Sequence, residues 1–279
     1  MSARPVPAAQ GRRLEGRVAV VTGGSGGLGS SFAETLAGAG ARVAVMSRHL
    51  ESCEPVAARI REQGGDARAV ACDVMDRNSL ERAAAHVHEA YGPVDVLVNG
   101  AGGNDPRATT SDQRSFFDLD VDALREVVDL NLLGTLQPCQ VFGRDMAERG
   151  EGAIVNVSSM ASERPLTRVV GYAAAKAAVN NFTRWLAAHL AREYGPGIRV
   201  NALAPGFFLT KQNQYLMLDA ETGGLTPRGA TVVDHTPMGR LGDAQDLAST
   251  LLWLTDPASG FVTGTVIPVD GGFSAFGGV

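Results

Sequence analysis

Tyr172 and Lys176 stand four residues apart in Gly-Tyr-Ala-Ala-Ala-Lys, and Ser159 precedes the tyrosine by thirteen residues. Apolar residues at helical spacing between Lys176 and Glu193 (Ala177, Ala178, Phe182, Trp185, Leu186, Leu190) put the pair on one helix. Four residues along a helix means a shared face. A phenol with a pKa of about 10 exchanges protons poorly at neutral pH. An ammonium beside it favours the phenolate and draws that value down. A serine hydroxyl arriving from a strand end would hold a substrate oxygen next to the phenol. Most Tyr/Lys pairs at this spacing are only a surface tyrosine and a snorkelling lysine. Composition weighs against that here: of 25 basic residues, only Lys176 and Lys211 are lysines. A point-charge amine with a shiftable pKa has been kept where arginine could not serve.

The elements that must position these groups alternate along the chain. Arg17–Thr22 is an apolar strand, followed by the glycine cluster Thr22-Gly23-Gly24-Ser25-Gly26-Gly27-Leu28-Gly29 and a helical pattern over Leu28–Ala39. Strand, glycine turn and helix are where backbone can approach a pyrophosphate, with Gly23, Ser25, Gly27, Leu28 and Gly29 the expected contacts. A second strand, Ala41–Met46, ends in Ser47-Arg48, where a ribose would be read. An acid there would repel a 2′-phosphate. Ser47 does not, and Arg48 could pair with one, so NADP(H) is preferred and NAD(H) remains possible should Arg48 face solvent or stack on adenine. Asp73-Val74 lies past a third strand, Ala67–Cys72, where Asp73 would meet the adenine amine or cap a turn. Val94–Val98 runs into Asn99-Gly100-Ala101-Gly102-Gly103, and Asn99, Ala101 and Gly102 border the same expected cleft. Helices at Glu51–Gln63, Ser79–Ala90 and Asp120–Arg149, the last whole or broken near Pro138, separate these strands from Gly152–Ser158. Ile198–Leu203 and Thr263–Val269 complete seven strands. Alternation of this kind predicts α/β architecture: a doubly wound parallel sheet with helices on both faces, binding ligands at strand carboxyl ends.

Residues 1–16 read as a flexible tail, 17–279 as one domain, and 207–240, where periodicity fades, as a lid over the site. Net charge is −5, so no basic field recruits nucleic acid or an anionic membrane. Three scattered cysteines and five histidines without ligand spacing argue against a disulfide framework or a metal site. No signal-like or membrane-spanning run is present, and a cytoplasmic protein is expected. Asn131, inside an apolar helical stretch, needs a partner: a neighbouring backbone group, a relay water, or both.

Together these residues resemble the short-chain dehydrogenase/reductase superfamily across residues 17–279, on Thr22–Gly29, Asp73, Asn99-x-Ala101-Gly102, Asn131, Ser159, Tyr172-x-x-x-Lys176, Pro205-Gly206 with Thr210, and Val269-Asp270-Gly271-Gly272. The resemblance implies a Rossmann-like fold and a catalytic tetrad of Asn131, Ser159, Tyr172 and Lys176. Tyr172 would be general acid/base, Ser159 would orient the carbonyl, and Asn131 would hold a relay water. Lys176 would lower the phenol pKa and, with Tyr172, Pro205, Gly206, Phe208 and Thr210, contact the cofactor. It also implies a homotetramer. Longer runs, among them Phe116–Asp120, Asp129–Thr135 and Pro205–Thr210, are similar to the D-mannonate oxidoreductase (fructuronate reductase) subgroup. A hexuronate substrate needs a cation and polar groups, for which Arg168, Lys211, Asn213, Asn104 and Ser159 are candidates, with Arg107 and Gln212 nearby. Reductases of other ketones (gluconate-type sugars, sugar alcohols, 3-oxoacyl thioesters) are rival readings. A non-catalytic NADP(H) sensor is a third, opposed by the complete tetrad.

Overall fold

Each apolar run between glycine turns is a strand and each longer amphipathic segment a helix. In chain order they are β1 (Val18–Thr22), α1 (Gly27–Gly38), β2 (Arg42–Ser47), α2 (Leu50–Glu62), β3 (Asp66–Ala71), α3 (Arg77–Tyr91), β4 (Val96–Asn99) and α4 (Val121–Arg149). Then follow β5 (Glu151–Val157), α5 (Val170–Glu193), β6 (Gly197–Pro205), α6 (Gln214–Met217), α7 (Pro227–Asp234), α8 (Ala248–Thr255) and β7 (Val266–Val269). This computed structural model describes residues 13–210 and 213–278.

The seven strands form one parallel sheet in the order β3-β2-β1-β4-β5-β6-β7. Alternate side chains feed two cores. Ala19, Val21, Val43 and Val45 pack with Phe32 and Leu36 of α1, Ile60 of α2 and Leu251 of α8. Val18, Val20 and Leu97 pack on the other face with Leu80, Phe142, Met146 and Leu190 from α3, α4 and α5. Buried on both faces, β1, β2 and β4 read as near-continuous apolar runs rather than alternating ones. Strand order reverses between β1 and β4, and there the loops leaving the two strands part to form a crevice.

The start of the domain differs from expectation. Leu14 is 1% exposed, its N–H donates to Ala39 O at 3.0 Å, and Arg13 pairs with Asp256 at 2.7 Å. Residues 13–16 therefore pack on the domain rather than belonging to a tail. α4 runs unbroken through Pro138, whose missing N–H falls one turn beyond the side-chain-free Gly134.

Among the described residues no helix is long and apolar enough to cross a membrane, and no cluster of three or more potential metal ligands occurs. Cys53, Cys72 and Cys139 are free and buried, and burial pushes the Cys72 and Cys139 thiols up to about 12, which makes them poor nucleophiles.

Candidate active site

The glycine loop after β1 is locked to the loop after β4. Gly23 has φ +65°, and a Cβ there would lie 2.6 Å from Gly100 O. Gly100 N donates to Thr22 O at 3.2 Å and Ala101 N to Thr22 Oγ1 at 3.3 Å. A Cβ on Gly29 would stand 2.1 Å from Gly23 O, so strand and helix meet there only through glycine. α1 opens without a side-chain cap and without an acid in its first turn, whereas Asp76 and Asp120 cap α3 and α4. Bare N–H groups at the positive end of a helix fit a phosphate. Gly29→Ala is expected to destabilise the fold by about 1–3 kcal/mol, lowering the thermal midpoint by about 2–10 °C. An unchanged midpoint in differential scanning calorimetry would show that the turn yields.

Four side chains converge beyond this crevice. β5 delivers Ser158 and Ser159 with opposite fates. Ser158 is turned inward onto Asn180 Oδ1, while Ser159 caps the short 3-10 turn Met160–Ser162, its Oγ accepting from Ala161 N at 3.2 Å. Tyr172 is half-buried against Ala108, Ala123, Leu124 and Val127. Lys176 is 4% exposed and donates from Nζ to Val157 O at 2.8 Å. Asn131 is fully buried, donating to Gly103 O at 2.7 Å and Val127 O at 2.8 Å and accepting from Gly103 N at 3.3 Å. Gly102 seals the cluster: a Cβ there would stand 2.6 Å from Asn131 Oδ1 and 3.3 Å from Lys176 Nζ.

The electrostatics correct one expectation. Loss of solvent pushes the Tyr172 phenol above its ordinary value, and its hydrogen bond with the Ser159 hydroxyl opposes that shift. Lys176 does not draw the phenol down. Its ammonium is committed to Val157 O, 5.6 Å from the ring centroid, and burial lowers its own pKa to about 8. Asn131 spends both amide hydrogens on backbone carbonyls, which supplies the backbone partner expected for it.

Several predicted contacts face elsewhere. The Asn99 side chain points into the core, donating to Cys139 Sγ and Asn156 Oδ1, so only its backbone borders the crevice. Ser47 Oγ is drawn onto α2 through His49 O and Ser52, while the exposed Arg48 makes no ion pair among the described residues. Asp73 caps Met75 N at 2.9 Å, and Val74 packs beside Gly134. Phe208 is 5% exposed with its ring over Gly242, a core role. Asn213 is consumed by the turn it closes, accepting from Thr210 N and donating to Phe208 O. Thr210 nonetheless lies beside Gly27, and Gly206, packed on Asp270, follows Pro205 at the end of β6. Asn104 is exposed and bonded to Thr109, and Arg107 is held by Asp105 and Glu126. Lys211 and Gln212 lie outside the described residues. Arg168 has φ +81°, with Asp112 at 3.5 Å from its guanidinium.

Two groups of residues escaped the sequence reading. Asn156, Thr183 and Asn180 back the site with buried hydrogen bonds. Arg228 sits on α7, a helix whose start was signalled by Thr226-Pro227, an N-cap followed by proline at N1.

Comparison with known proteins agrees with this geometry. The family model described as short chain dehydrogenase matches residues 17–221. An uncharacterized oxidoreductase, UxuB, from Bacillus subtilis is 47% identical, covering 95% of this chain and 98% of that protein. A solved Haemophilus influenza structure, proposed to be a D-mannonate oxidoreductase and holding NAD, is 41% identical with a TM-score of 0.90, covering 95% and 98% of the two chains. A gluconate 5-dehydrogenase from Burkholderia cenocepacia, in complex with NADP and tartrate, is 32% identical with a TM-score of 0.84 over 95% and 98%. With the parallel seven-stranded sheet and the Ser159, Tyr172 and Lys176 cluster in place, the chain belongs to the short-chain dehydrogenase/reductase family of oxidoreductases.

Proposed function

We propose that this protein reduces the ketone of a sugar acid, D-fructuronate to D-mannonate, using NADP(H) in preference to NAD(H). The observation that carries the reading is the grouping of Tyr172 with Lys176, whose Nζ lies 5.6 Å from the ring centroid, and with Ser159 beside the glycine crevice. A nicotinamide bound in that crevice supplies the hydride. The residues do the rest. Ser159 orients the carbonyl oxygen, and Tyr172 gives that oxygen its proton as negative charge develops on it. Lys176 braces the end of β5 beside the phenol through Val157 O, and Asn131 fixes the Gly102-Gly103 wall to α4. The sugar-acid reading draws support from the relatives proposed or named to act on mannonate and gluconate.

Arg48, without an ion pair among the described residues, and the lack of an acid at the end of β2 support NADP(H). Arg48→Ala is expected to lower the NADPH/NADH ratio of kcat/KM by about tenfold, the worth of one charge-assisted pair. A ratio left unchanged would remove Arg48 from cofactor choice. A homotetramer is the assembly we favour, supported by apolar side chains left on the surface of one copy: Trp185 (57% exposed), Trp253 (43%) and Phe261 (104%). The substrate is tested by oxidising a panel of aldonates and alditols with NADP+ and NAD+. D-mannonate should give the highest kcat/KM, with the new ketone beside the terminal hydroxymethyl carbon. Preference for a neutral alditol would reject the sugar acid.

A further inference from the structure

The lid carries a guanidinium that nothing among the described residues neutralises. Arg228, the second residue of α7, is half-buried, and its Nε is shut from solvent without a hydrogen-bond partner. It forms no ion pair among the described residues. Its setting opposes an isolated cation in three ways. Burial lowers its pKa, and the Arg168 guanidinium repels it, which places the two side chains within each other's field. The first turn of α7 holds no acid, so the positive end of that helix lies beneath the side chain.

The second guanidinium is that of Arg168. It enters α5 four residues before Tyr172, in a left-handed backbone conformation that no other non-glycine residue shares among those described. Its carbonyl accepts from Thr110 N at 3.0 Å, tying this loop to the flap after β4. Its ion-pair partner, Asp112, is 3.5 Å away with a side chain 97% exposed, a weak and solvent-screened counter-ion. Of these two arginines, one on the lid and one leading into the catalytic helix, only Arg168 has a counter-ion among the described residues, and it is a single exposed carboxylate. Such an arrangement repels itself until an anion enters, and then each guanidinium can bind a carboxylate through paired N–H groups.

We propose that Arg168 and Arg228 form a carboxylate clamp for the acid end of the substrate, Arg228 bringing the lid down on a group that Arg168 already faces. The clamp rests on the reading of the site as a sugar-acid reductase and assigns its selectivity to two residues. A neutral ketose of the same length gives the lid arginine no counter-charge, so it does not hold the lid closed. The clamp acts on binding, and the proton chemistry at Tyr172 is separate from it.

The test compares wild type, Arg228→Met, Arg228→Lys and Arg168→Met, all as the full chain. Steady-state reduction of D-fructuronate and of D-fructose gives the ratio of their kcat/KM values. Each methionine variant should lower that ratio by about 10- to 100-fold, chiefly through KM for the uronate, with partial recovery in Arg228→Lys. The thermal midpoint of Arg228→Met should equal or exceed that of wild type, because the charge removed had no partner. A ratio within about twofold of wild type would overturn the clamp. If wild type turns over no uronate, the proposed substrate fails, and calorimetric titration of the NADP+-loaded protein with D-gluconate and D-mannitol decides the clamp. Gluconate binding weakened at least about tenfold by Arg228→Met would sustain it. Equal binding, or none by wild type, would overturn it.

Discussion

Tyr172→Phe lowers ketone turnover by about 10²- to 10⁴-fold, the span over which a positioned proton donor acts. The substitution removes one oxygen and keeps the ring that packs on Ala123, Leu124 and Val127. Ser159 remains fixed by its contact with Ala161 N. The loss should therefore fall on kcat, with cofactor affinity and thermal midpoint close to wild type. Fluorescence titration with NADPH separates the two effects. Appreciable turnover in the variant would mean that another group, or water, protonates the product oxygen.

Lys176→Met removes activity and also changes how stability depends on pH. The folded-state pKa of Lys176 is lowered from its ordinary 10.5 to about 8 by burial. Below about pH 8 both folded and unfolded chains hold the proton, and the full penalty of the buried ammonium weighs on the fold. Between about pH 8 and 10.5 the folded chain has released that proton and the unfolded chain has not, so wild-type stability rises with pH relative to the variant. Above that window the difference levels off. The gap corresponds to about 3 kcal/mol, read as the change in wild-type-minus-variant unfolding free energy between neutral and alkaline buffer. Urea denaturation of the cofactor-free proteins measures it. A constant difference would show that the ammonium is not desolvated. The hydrogen bond to Val157 O sets the offset between the two curves, not their pH dependence.

How much of this could be read from the chain follows from the range of the interactions involved. Strands buried on both faces announce themselves as apolar runs, and glycine turns between strand and helix mark the crevice, so sheet, order of elements and glycine loop were legible. Tyr172 and Lys176 were legible because helical spacing alone puts them together. The direction of a side chain leaving a loop is another matter. Asn99 ends β4 just before a glycine-rich turn yet points inward, because Asn156 and Cys139 on other elements supply its partners. Phe208 and Asn213 looked available for ligand and are spent on Gly242 and Thr210. Leu14, one apolar residue in a polar stretch, has no periodicity to reveal its burial. The Lys176 effect on the phenol required knowing where its ammonium points. Arg228 was hidden where periodicity fades, since the short α7 gives too few turns for a periodic signal and only Thr226-Pro227 marked its start.

The central claim is ketone reduction of a sugar acid at Tyr172, and the most direct measurement is NADPH oxidation with D-fructuronate, followed at 340 nm beside an identical assay with NADH. The account predicts saturable turnover with a KM of about a millimolar or less, faster with NADPH, and D-mannonate as product. No turnover with either cofactor would contradict the substrate, leaving the fold and the Ser159, Tyr172 and Lys176 cluster to be matched to another ketone.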